Sequence, residues 1–294
     1  MTTAPVVDVE DLNVAYGDFH AVRDLSLQVR RGELYALLGT NGAGKTSTLE
    51  VVEGHRAATS GSVRVFGGDP RDRRAVRPRM GVMLQESGFS PDLAVGETVR
   101  LIGGLTRRVD EVGRVLDIVG LTRKARTKVS QLSGGEKRRL DFATAVYGTP
   151  ELIVLDEPTT GLDVQSRDDL WAAVDRLRED GSTVVLTTHY LEEAQQRADR
   201  IGLMHEGALH REGTVGELTR TLPATIRCTL PPAAPPLPLP ADRGRDGAVL
   251  VETFRLPQDL HTLLDWSREH AVELRDLEAG PTRLDDVFRA VGTS

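Results

Sequence analysis

The chain has 294 residues, 39% of them hydrophobic and 28% charged, which is typical of a soluble globular protein. We expect one large domain and a smaller one, because single hydrophobic cores stop growing at about 250–300 residues. The formal net charge of −7 disfavours nucleic acid as a partner, since proteins that bind nucleic acid usually carry a basic excess.

The cysteine content and the hydropathy indicate the compartment. The single cysteine, Cys228, excludes a disulfide within the chain and fits a reducing environment. No apolar run approaches the roughly 20 residues that cross a bilayer, and the N-terminus lacks the apolar core of a signal peptide. We therefore expect a cytoplasmic protein, which would reach a membrane only through a partner.

The first part of the chain predicts strands, followed by a helical insert. Alternating or continuous apolar residues predict strands over Val6–Tyr16, Leu25–Val29, Glu33–Leu38, Val63–Phe66 and Met80–Leu84. A helix is expected from Ala43 onward. Between Gln85 and Ser130 the apolar spacing becomes helical, with breaks expected at Pro91 and at Gly103-Gly104. We place a helical insert at about residues 86–130.

The middle of the chain alternates buried strands with helices. Apolar runs predict strands over Leu152–Leu155, Thr183–Leu186 and Ile201–Met204, separated by helices over Gln165–Glu179 and Leu191–Ala198. This alternation predicts an α/β fold with a mostly parallel sheet covered by helices on both faces.

A small α+β unit is expected after a domain boundary near residue 220, which gives domains over 1–220 and 221–294. The proline-rich segment 231–240 cannot form a helix or a central strand, and it predicts a stiff connector or loop. Beyond it we expect strands and helices in alternation, over Ala248–Phe254, Asp259–Glu269, Val272–Leu277 and Leu284–Val291. Leu284, Val287 and Phe288 share one helix face, which indicates a core or subunit contact.

The segment Gly39–Thr46 carries the first chemical signal, because it fits Gly-x-x-x-x-Gly-Lys-Thr between a strand and a helix. In such a loop Lys45 would contact the β- and γ-phosphates of a nucleotide, and Thr46 would ligate Mg²⁺. The nucleotide-contacting residues predicted here are Gly39, Thr40, Asn41, Gly42, Ala43, Gly44, Lys45, Thr46 and Ser47.

Polar residues at the ends of other predicted strands indicate hydrolysis. Asp156 and Glu157 end an apolar strand, where Asp156 would support Mg²⁺ and Glu157 would polarise water as a general base. His189 follows the next strand and could orient that water against the γ-phosphate. Gln85 ends an earlier strand, and its amide could reach the metal or the water. Tyr16 could stack on adenine, with packing on the first sheet as the alternative.

A second phosphate-binding feature is Leu132-Ser133-Gly134-Gly135-Glu136, a glycine pair at the start of a helix. Helix N-termini attract phosphate oxygens through free N–H groups and the helix dipole. Two such sites in one domain are explained if the nucleotide is held between two copies. The arginines at 71, 73, 74, 77 and 79 are interpreted as a solvated face or loop.

With these motifs, the chain closely resembles the ATP-binding subunits of ABC transporters over roughly residues 6–220. The resemblance implies a P-loop NTPase fold with an antiparallel β subdomain. It also implies ATP and Mg²⁺ as ligands, and a head-to-tail dimer with a second copy or a paralogue. In that dimer Ser133, Gly134, Gly135 and Glu136 of one subunit close over ATP held by the other subunit's Lys45. Asp163, in Gly161-Leu162-Asp163, would act across the interface.

Two positions depart from the family pattern: Glu136 replaces the usual glutamine, and Thr40 stands where proline is common. The segment Thr188–Ala194 resembles exporters of the daunorubicin-resistance group, and the segment 284–288 is similar to the "LEDVF" ending of that group. The resemblance implies a separate membrane permease that docks on the insert, and a location at the inner face of the membrane. An importer ATPase, or a soluble ATPase of iron–sulfur assembly, stays open as an alternative.

Overall fold

The computed structural model describes residues 4–85, 88–220, 222–244, 246–282 and 284–292. They form two compact units, one up to residue 212 and one from residue 213. The sequence placed this division near residue 220. The difference arises because a short helix over Val215–Thr219 packs against the last helix of the chain, within the second unit.

The strands described in the first unit belong to two sheets. They are β1 (Val7–Tyr16), β2 (Phe19–Val29), β3 (Leu34–Gly39), β4 (Ser60–Val65), β5 (Met80–Met83), β6 (Leu152–Asp156), β7 (Thr183–Thr188), β8 (Arg200–His205) and β9 (Ala208–Gly213). The strand order is β2-β1-β4 in an antiparallel sheet and β5-β6-β7-β3-β8-β9 in a larger one. In the larger sheet β5, β6, β7, β3 and β8 run parallel, as predicted.

The parallel sheet determines where chemistry can occur. β3, β6 and β7 are adjacent, and every residue in them is buried. Their carboxyl ends therefore meet at one edge of the sheet, which is where ligands bind in folds of this type. The residues at these three ends are Gly39, Asp156 and Thr188.

The helices described in the first unit are α1 (Lys45–Val52), α2 (Arg73–Val76), α3 (Val95–Thr106), α4 (Val112–Ile118), α5 (Gly134–Val146), α6 (Val164–Glu179) and α7 (Leu191–Arg197). The predicted insert contains α3, α4 and two short 3-10 turns. Glu86 and Ser87, at its start, lie outside the described residues. Most of the arginines at 71–79 are exposed, but Arg79 pairs with Glu151.

One prediction within the insert is wrong, because α3 continues through Gly103-Gly104 without a break. A Cβ atom on Gly103 would lie 2.3 Å from Cε1 of Tyr147. The glycine therefore makes room for an aromatic ring against the helix. Sequence alone could not distinguish this use of glycine from helix termination.

The second unit is a small α+β fold. Its helices are α8 (Val215–Thr219), α9 (Leu256–Glu269) and α10 (Leu284–Gly292), and its strands are β10 (Ala224–Thr229), β11 (Asp242–Arg243), β12 (Ala248–Thr253) and β13 (Arg275–Gly280). The antiparallel order is β11-β12-β10-β13. The core includes Ile226, Val251 and Trp266. β10 was not predicted, and β13 begins three residues later than expected.

Candidate nucleotide-binding and hydrolysis site

The loop from Thr40 to Gly44 joins β3 to α1 in the geometry of a phosphate-binding loop. Gly44 caps α1 with φ of 96°, a left-handed conformation that glycine adopts without strain. A Cβ on Gly44 would also lie 2.3 Å from the carbonyl oxygen of Ala21. Only glycine fits here. Because glycine has no side chain, it cannot cap α1, and the first N–H groups of the helix make no hydrogen bond to a capping side chain.

Lys45 begins α1 and is buried, with 6% of its surface exposed. Its Nζ donates hydrogen bonds to the carbonyl oxygens of Gly39 (2.8 Å) and Thr40 (3.1 Å). Burial lowers the pKa of Lys45, while the carboxylates of Glu157 and Asp156 oppose this shift. The ammonium group is thus held inside the loop, beside the carboxylates at the end of β6.

The carboxylate of Asp156 is buried between two hydroxyl groups. Thr46 Oγ1 donates to Asp156 Oδ2 at 3.1 Å, and Thr187 Oγ1 donates to Asp156 Oδ1. Hydroxyl and carboxylate oxygens are ligands that Mg²⁺ accepts, and Mg²⁺ usually takes one or two protein oxygens together with substrate phosphates. Within the described ranges no group of three or more His, Cys, Asp or Glu could hold a metal by itself. Thr46 and Asp156 therefore fit Mg²⁺ that arrives with a nucleotide.

Glu157 and His189 are in contact, as their predicted positions at neighbouring strand ends require. His189 Nδ1 lies 3.3 Å from Glu157 Oε1. Glu157 has a φ of 48°, a left-handed conformation that costs a non-glycine residue about 1–2 kcal/mol. Its N–H donates to both the carbonyl oxygen and the Oγ1 of Thr187, each at 3.1 Å. This constrained turn directs the carboxylate towards the histidine.

One cleft of about 290 Å³ brings most of the predicted residues together; its lining residues are Tyr16, Phe19, Ala21, Asn41, Gly42, Ala43, Gly44, Lys45, Thr46, Ser47, Gln85 and Glu157. Tyr16 donates to Glu50 Oε2 at 3.0 Å, and the guanidinium of Arg56 lies 4.1 Å from the centre of its ring. Phe19 is 62% exposed beside it. The sequence did not single out Phe19, although its place opposite Tyr16 in the β1–β2 hairpin could have indicated it.

The residues of the second glycine pair lie elsewhere. Gly134 lines another cleft, of about 460 Å³, together with Gln85 and Gly161. Ser133 caps α5: its Oγ accepts from the N–H of Glu136 at 3.2 Å, and Glu136 Oε2 accepts from the N–H of Ser133 at 3.0 Å. Because a hydroxyl can accept and donate at the same time, the O–H group of Ser133 can still donate a hydrogen bond while its oxygen caps the helix.

Glu136, which departs from the family glutamine, is paired with a lysine. Lys124 Nζ lies 3.2 Å from Glu136 Oε1. The N–H of Ser133 and the ammonium group of Lys124 lower the pKa of this carboxyl group. Glu136 brings a negative charge to the start of α5 that a glutamine would not bring, and Lys124 partly neutralises this charge within the chain.

Asp163 and Glu193 shape the turn that follows β6. Asp163 caps α6 by accepting from the N–H (2.8 Å) and the Oγ (2.9 Å) of Ser166. Glu193, on α7, is 8% exposed and accepts from Thr159 Oγ1 at 2.8 Å. Burial raises the pKa of Glu193. Glu193, which was not predicted from the sequence, links the helix after His189 to the segment after Glu157.

Arg138 is a second residue of the site that was not predicted from the sequence. It lies on α5, yet its guanidinium reaches the main chain at the ends of β5 and β6. Contacts with main-chain carbonyls leave no pattern in the sequence, so no motif could have indicated this role.

The fold and the site define an ABC-type nucleotide-hydrolysing protein. The sequence model described as "ABC transporter" matches residues 22–160, and one described as "ABC transporter domain-containing protein-like, C-terminal domain" matches residues 224–282. Among curated proteins, the chain is 35% identical to the daunorubicin/doxorubicin resistance ATP-binding protein DrrA of Streptomyces peucetius. That alignment covers 99% of this chain and 94% of the relative. The chain therefore belongs to the ABC transporter ATP-binding family, and it is an ATPase.

Two further relatives align with about three quarters of the chain. The Nod factor export ATP-binding protein I of Burkholderia orbicola is 39% identical over 72% of each chain. The linearmycin resistance ATP-binding protein LnrL of Bacillus subtilis is 35% identical over 74% of this chain and 72% of the relative. The described helices include none that is both long and apolar enough to cross a bilayer.

A solved structure supports the same fold. The ATP-binding cassette MJ0796, in a dimeric structure bound to ADP and Pi, superposes with a TM-score of 0.65 at 26% identity. The match covers 71% of this chain and 98% of that one.

Proposed function

We propose that this chain is the motor subunit of an export transporter, and that it drives a separately encoded membrane permease by hydrolysing ATP. The observation that carries this proposal is the similarity to DrrA, which extends through both units of the chain. The other relatives are also named for export or for drug resistance. No comparable observation favours an importer or an iron–sulfur assembly ATPase.

The cleft beside α1 is the proposed ATP site. The loop residues from Gly39 to Ser47 surround the phosphates, and Lys45 supplies a positive charge to them. Tyr16, and with it Phe19, contacts the base. Thr46, Asp156 and Gln85 would hold Mg²⁺, which on binding neutralises developing charge on the phosphates.

Glu157 and His189 are the proposed hydrolytic pair. The carboxylate of Glu157 accepts a proton from the attacking water, and a general base must lie within hydrogen-bond reach of that proton. His189, 3.3 Å away, can hold the carboxylate and the water in one orientation. Gln85 lines the same cleft and can bind the water from the other side.

The second half of each ATP site comes, in this proposal, from another copy of the chain or from a paralogue. Ser133, Gly134, Gly135 and Glu136 would contact the partner's nucleotide, and Asp163 would act across the interface. Two observations support this arrangement: Gly134 lines a different cleft from Lys45 and Thr46, and a structure with the same fold is dimeric. The permease would dock on the insert at about 86–130, which places the protein at the inner face of the membrane.

The test uses the full-length Glu157→Gln variant. With ATP and Mg²⁺ it should form a dimer, measured by light scattering after gel filtration, because ATP is bound but not consumed. The matched control is Glu157→Gln combined with Lys45→Ala, which should stay monomeric. Monomers in both samples would contradict the shared site.

The partner is tested separately, by purification of the tagged chain from detergent-solubilised membranes. An integral membrane protein in stoichiometric amount supports the motor proposal. A periplasmic or surface-bound substrate-binding protein in the same complex would favour import, and a soluble cysteine-rich scaffold would favour iron–sulfur assembly.

A further inference from the structure

The side chain of Arg138 makes an unusual set of contacts. It projects from the second turn of α5 and reaches the carboxyl ends of β5 and β6, which are neighbours in the parallel sheet. Its guanidinium donates hydrogen bonds to five main-chain carbonyl oxygens, those of Leu84 (2.8 Å), Gln85 (2.9 Å), Asp156 (2.6 Å), Glu157 and Pro158 (3.3 Å).

These contacts hold a charge in a buried place. Arg138 is 8% exposed, and burial lowers the pKa of its guanidinium. A buried cation is stable only where hydrogen-bond acceptors replace the lost water. The five N–H donors of a guanidinium are fixed in one plane, so they also fix the relative positions of the carbonyl groups that accept from them.

Glu157 is one of the residues that this arrangement constrains. Its φ of 48° is unfavourable for a residue with a side chain. Thr187 accepts from its N–H on one side, and Arg138 donates to its carbonyl oxygen on the other. The two contacts hold the turn that brings the carboxylate to His189.

We propose that Arg138 is a positioning residue for ATP hydrolysis: it holds the main chain of Gln85 and of Glu157 so that the carboxylate of Glu157 is correctly placed for the attacking water. This inference rests on the proposed role of Glu157 as the general base. Arg138 does not line the cleft proposed for ATP. Because Arg138 is on the helix that begins with Gly134, the helix that would contact the partner's nucleotide also supports the chain's own hydrolytic residue.

The experiment compares full-length Arg138→Lys with wild type. A lysine keeps the charge but has no planar fork, so the carbonyls of Gln85 and Glu157 are no longer held together. We expect kcat for ATP hydrolysis to fall about 10²-fold, the effect of a misplacement of about 1 Å at a reacting group. The KM and the affinity for a fluorescent ATP analogue should change less than threefold. If the lysine variant does not fold, Arg138→Met, which buries no charge, replaces it.

The matched control is Arg108→Lys. Arg108 is also 8% exposed, and its guanidinium donates to the carbonyl oxygens of Ala145 (2.7 Å) and Thr144 (3.2 Å) at the other end of α5. Loss of the Arg108 guanidinium in this variant should lower the thermal stability but leave kcat per folded molecule within about twofold of wild type. Arg138→Ala should regain part of its kcat when millimolar guanidinium is added, and Arg108→Ala should show no such gain.

The outcomes separate the two hypotheses. Equal kcat values for the Arg138 and Arg108 variants, or a rise in KM without a fall in kcat, would overturn the positioning role of Arg138. Wild-type hydrolysis by Glu157→Gln would instead overturn the role of the glutamate.

Discussion

His189 Nδ1 lies 3.3 Å from Glu157 Oε1, so side chains that follow two neighbouring parallel strands, β7 and β6, are in direct contact. The contact joins the imidazole of His189 to the carboxylate of Glu157, whose side chain is only 13% exposed. In the proposed mechanism, hydrolysis therefore depends on the pair rather than on either residue alone.

We expect His189→Ala to lower kcat by about 10²-fold, because positioned proton-transfer groups contribute about 10²–10⁴-fold to a rate. ATP affinity should be nearly unchanged, since in the proposed site Lys45 and the loop hold the phosphates. Phosphate release measured in a coupled assay gives kcat, and His210→Ala, at an exposed histidine on β9, serves as control. Full activity of His189→Ala would remove the histidine from the mechanism.

The ion pair of Lys124 with Glu136 should matter for assembly. In a Glu157→Gln background, Lys124→Ala leaves the carboxylate of Glu136 unneutralised near the partner's phosphates. The ATP concentration that gives half-maximal dimer should rise about two- to fivefold, as expected for an exposed pair worth up to about 1 kcal/mol.

Adding Glu136→Gln to Lys124→Ala should restore the dimer, because the unpaired charge is then gone. The effect should also shrink at high salt, which screens exposed charges. A double variant no better than Lys124→Ala would show that Lys124 acts through another residue.

The two glycines within α3 should respond in opposite ways to alanine. Gly103→Ala places a methyl group 2.3 Å from the ring of Tyr147, and overpacking of this kind costs about 1–3 kcal/mol. Gly104→Ala meets nothing within 4 Å, and it should stabilise the helix by about 0.5–1 kcal/mol. Urea unfolding of both variants tests this, and equal free energies of unfolding would contradict the packing described for Tyr147.

Glu151 should contribute a pH-dependent part of the stability. Hydrogen bonds from Arg79, and then from Arg31, lower the pKa of its carboxyl group from 4.5 to about 2. The stabilisation is present above the unfolded value of 4.5, and it is lost as the pH falls towards 2. Glu151→Gln should therefore unfold at lower urea than wild type at pH 7, and the difference should vanish near pH 2.

The control for this prediction is Glu179→Gln, at an exposed residue of α6. Its difference from wild type should be small at every pH. A difference for Glu151→Gln that stayed constant down to pH 2 would mean that the ion pair does not stabilise the fold.

The sequence predicted the parallel sheet and its polar edge because both depend on local patterns. β3, β6 and β7 are continuous apolar runs. Lys45, Asp156 and His189 lie at the ends of these runs or shortly after them. The positions of these residues are therefore fixed by chain order and strand direction alone.

The parts that the sequence did not predict depend on contacts between distant segments. From the sequence alone, Gly103 predicts a helix break; its role in making room for Tyr147 depends on a residue that is distant along the chain. Arg138 acts on main-chain carbonyl groups, which every residue has, so no residue pattern marks its targets. β10 differs from these: it lies between β12 and β13, and the alternation of buried Ile226 and Cys228 with Arg227 and Thr229 is a strand pattern that was overlooked.

The two buried arginines have a mechanical consequence for the insert. Arg108 follows α3 and is bonded to the last turn of α5, whereas Arg138, near the start of α5, is bonded to the sheet. Arg108 thus connects the end of α3 to the last turn of α5, and Arg138 connects the start of α5 to the edge of the sheet. A displacement of α3 would therefore reach the guanidinium of Arg138 through α5, next to Glu157, the proposed general base.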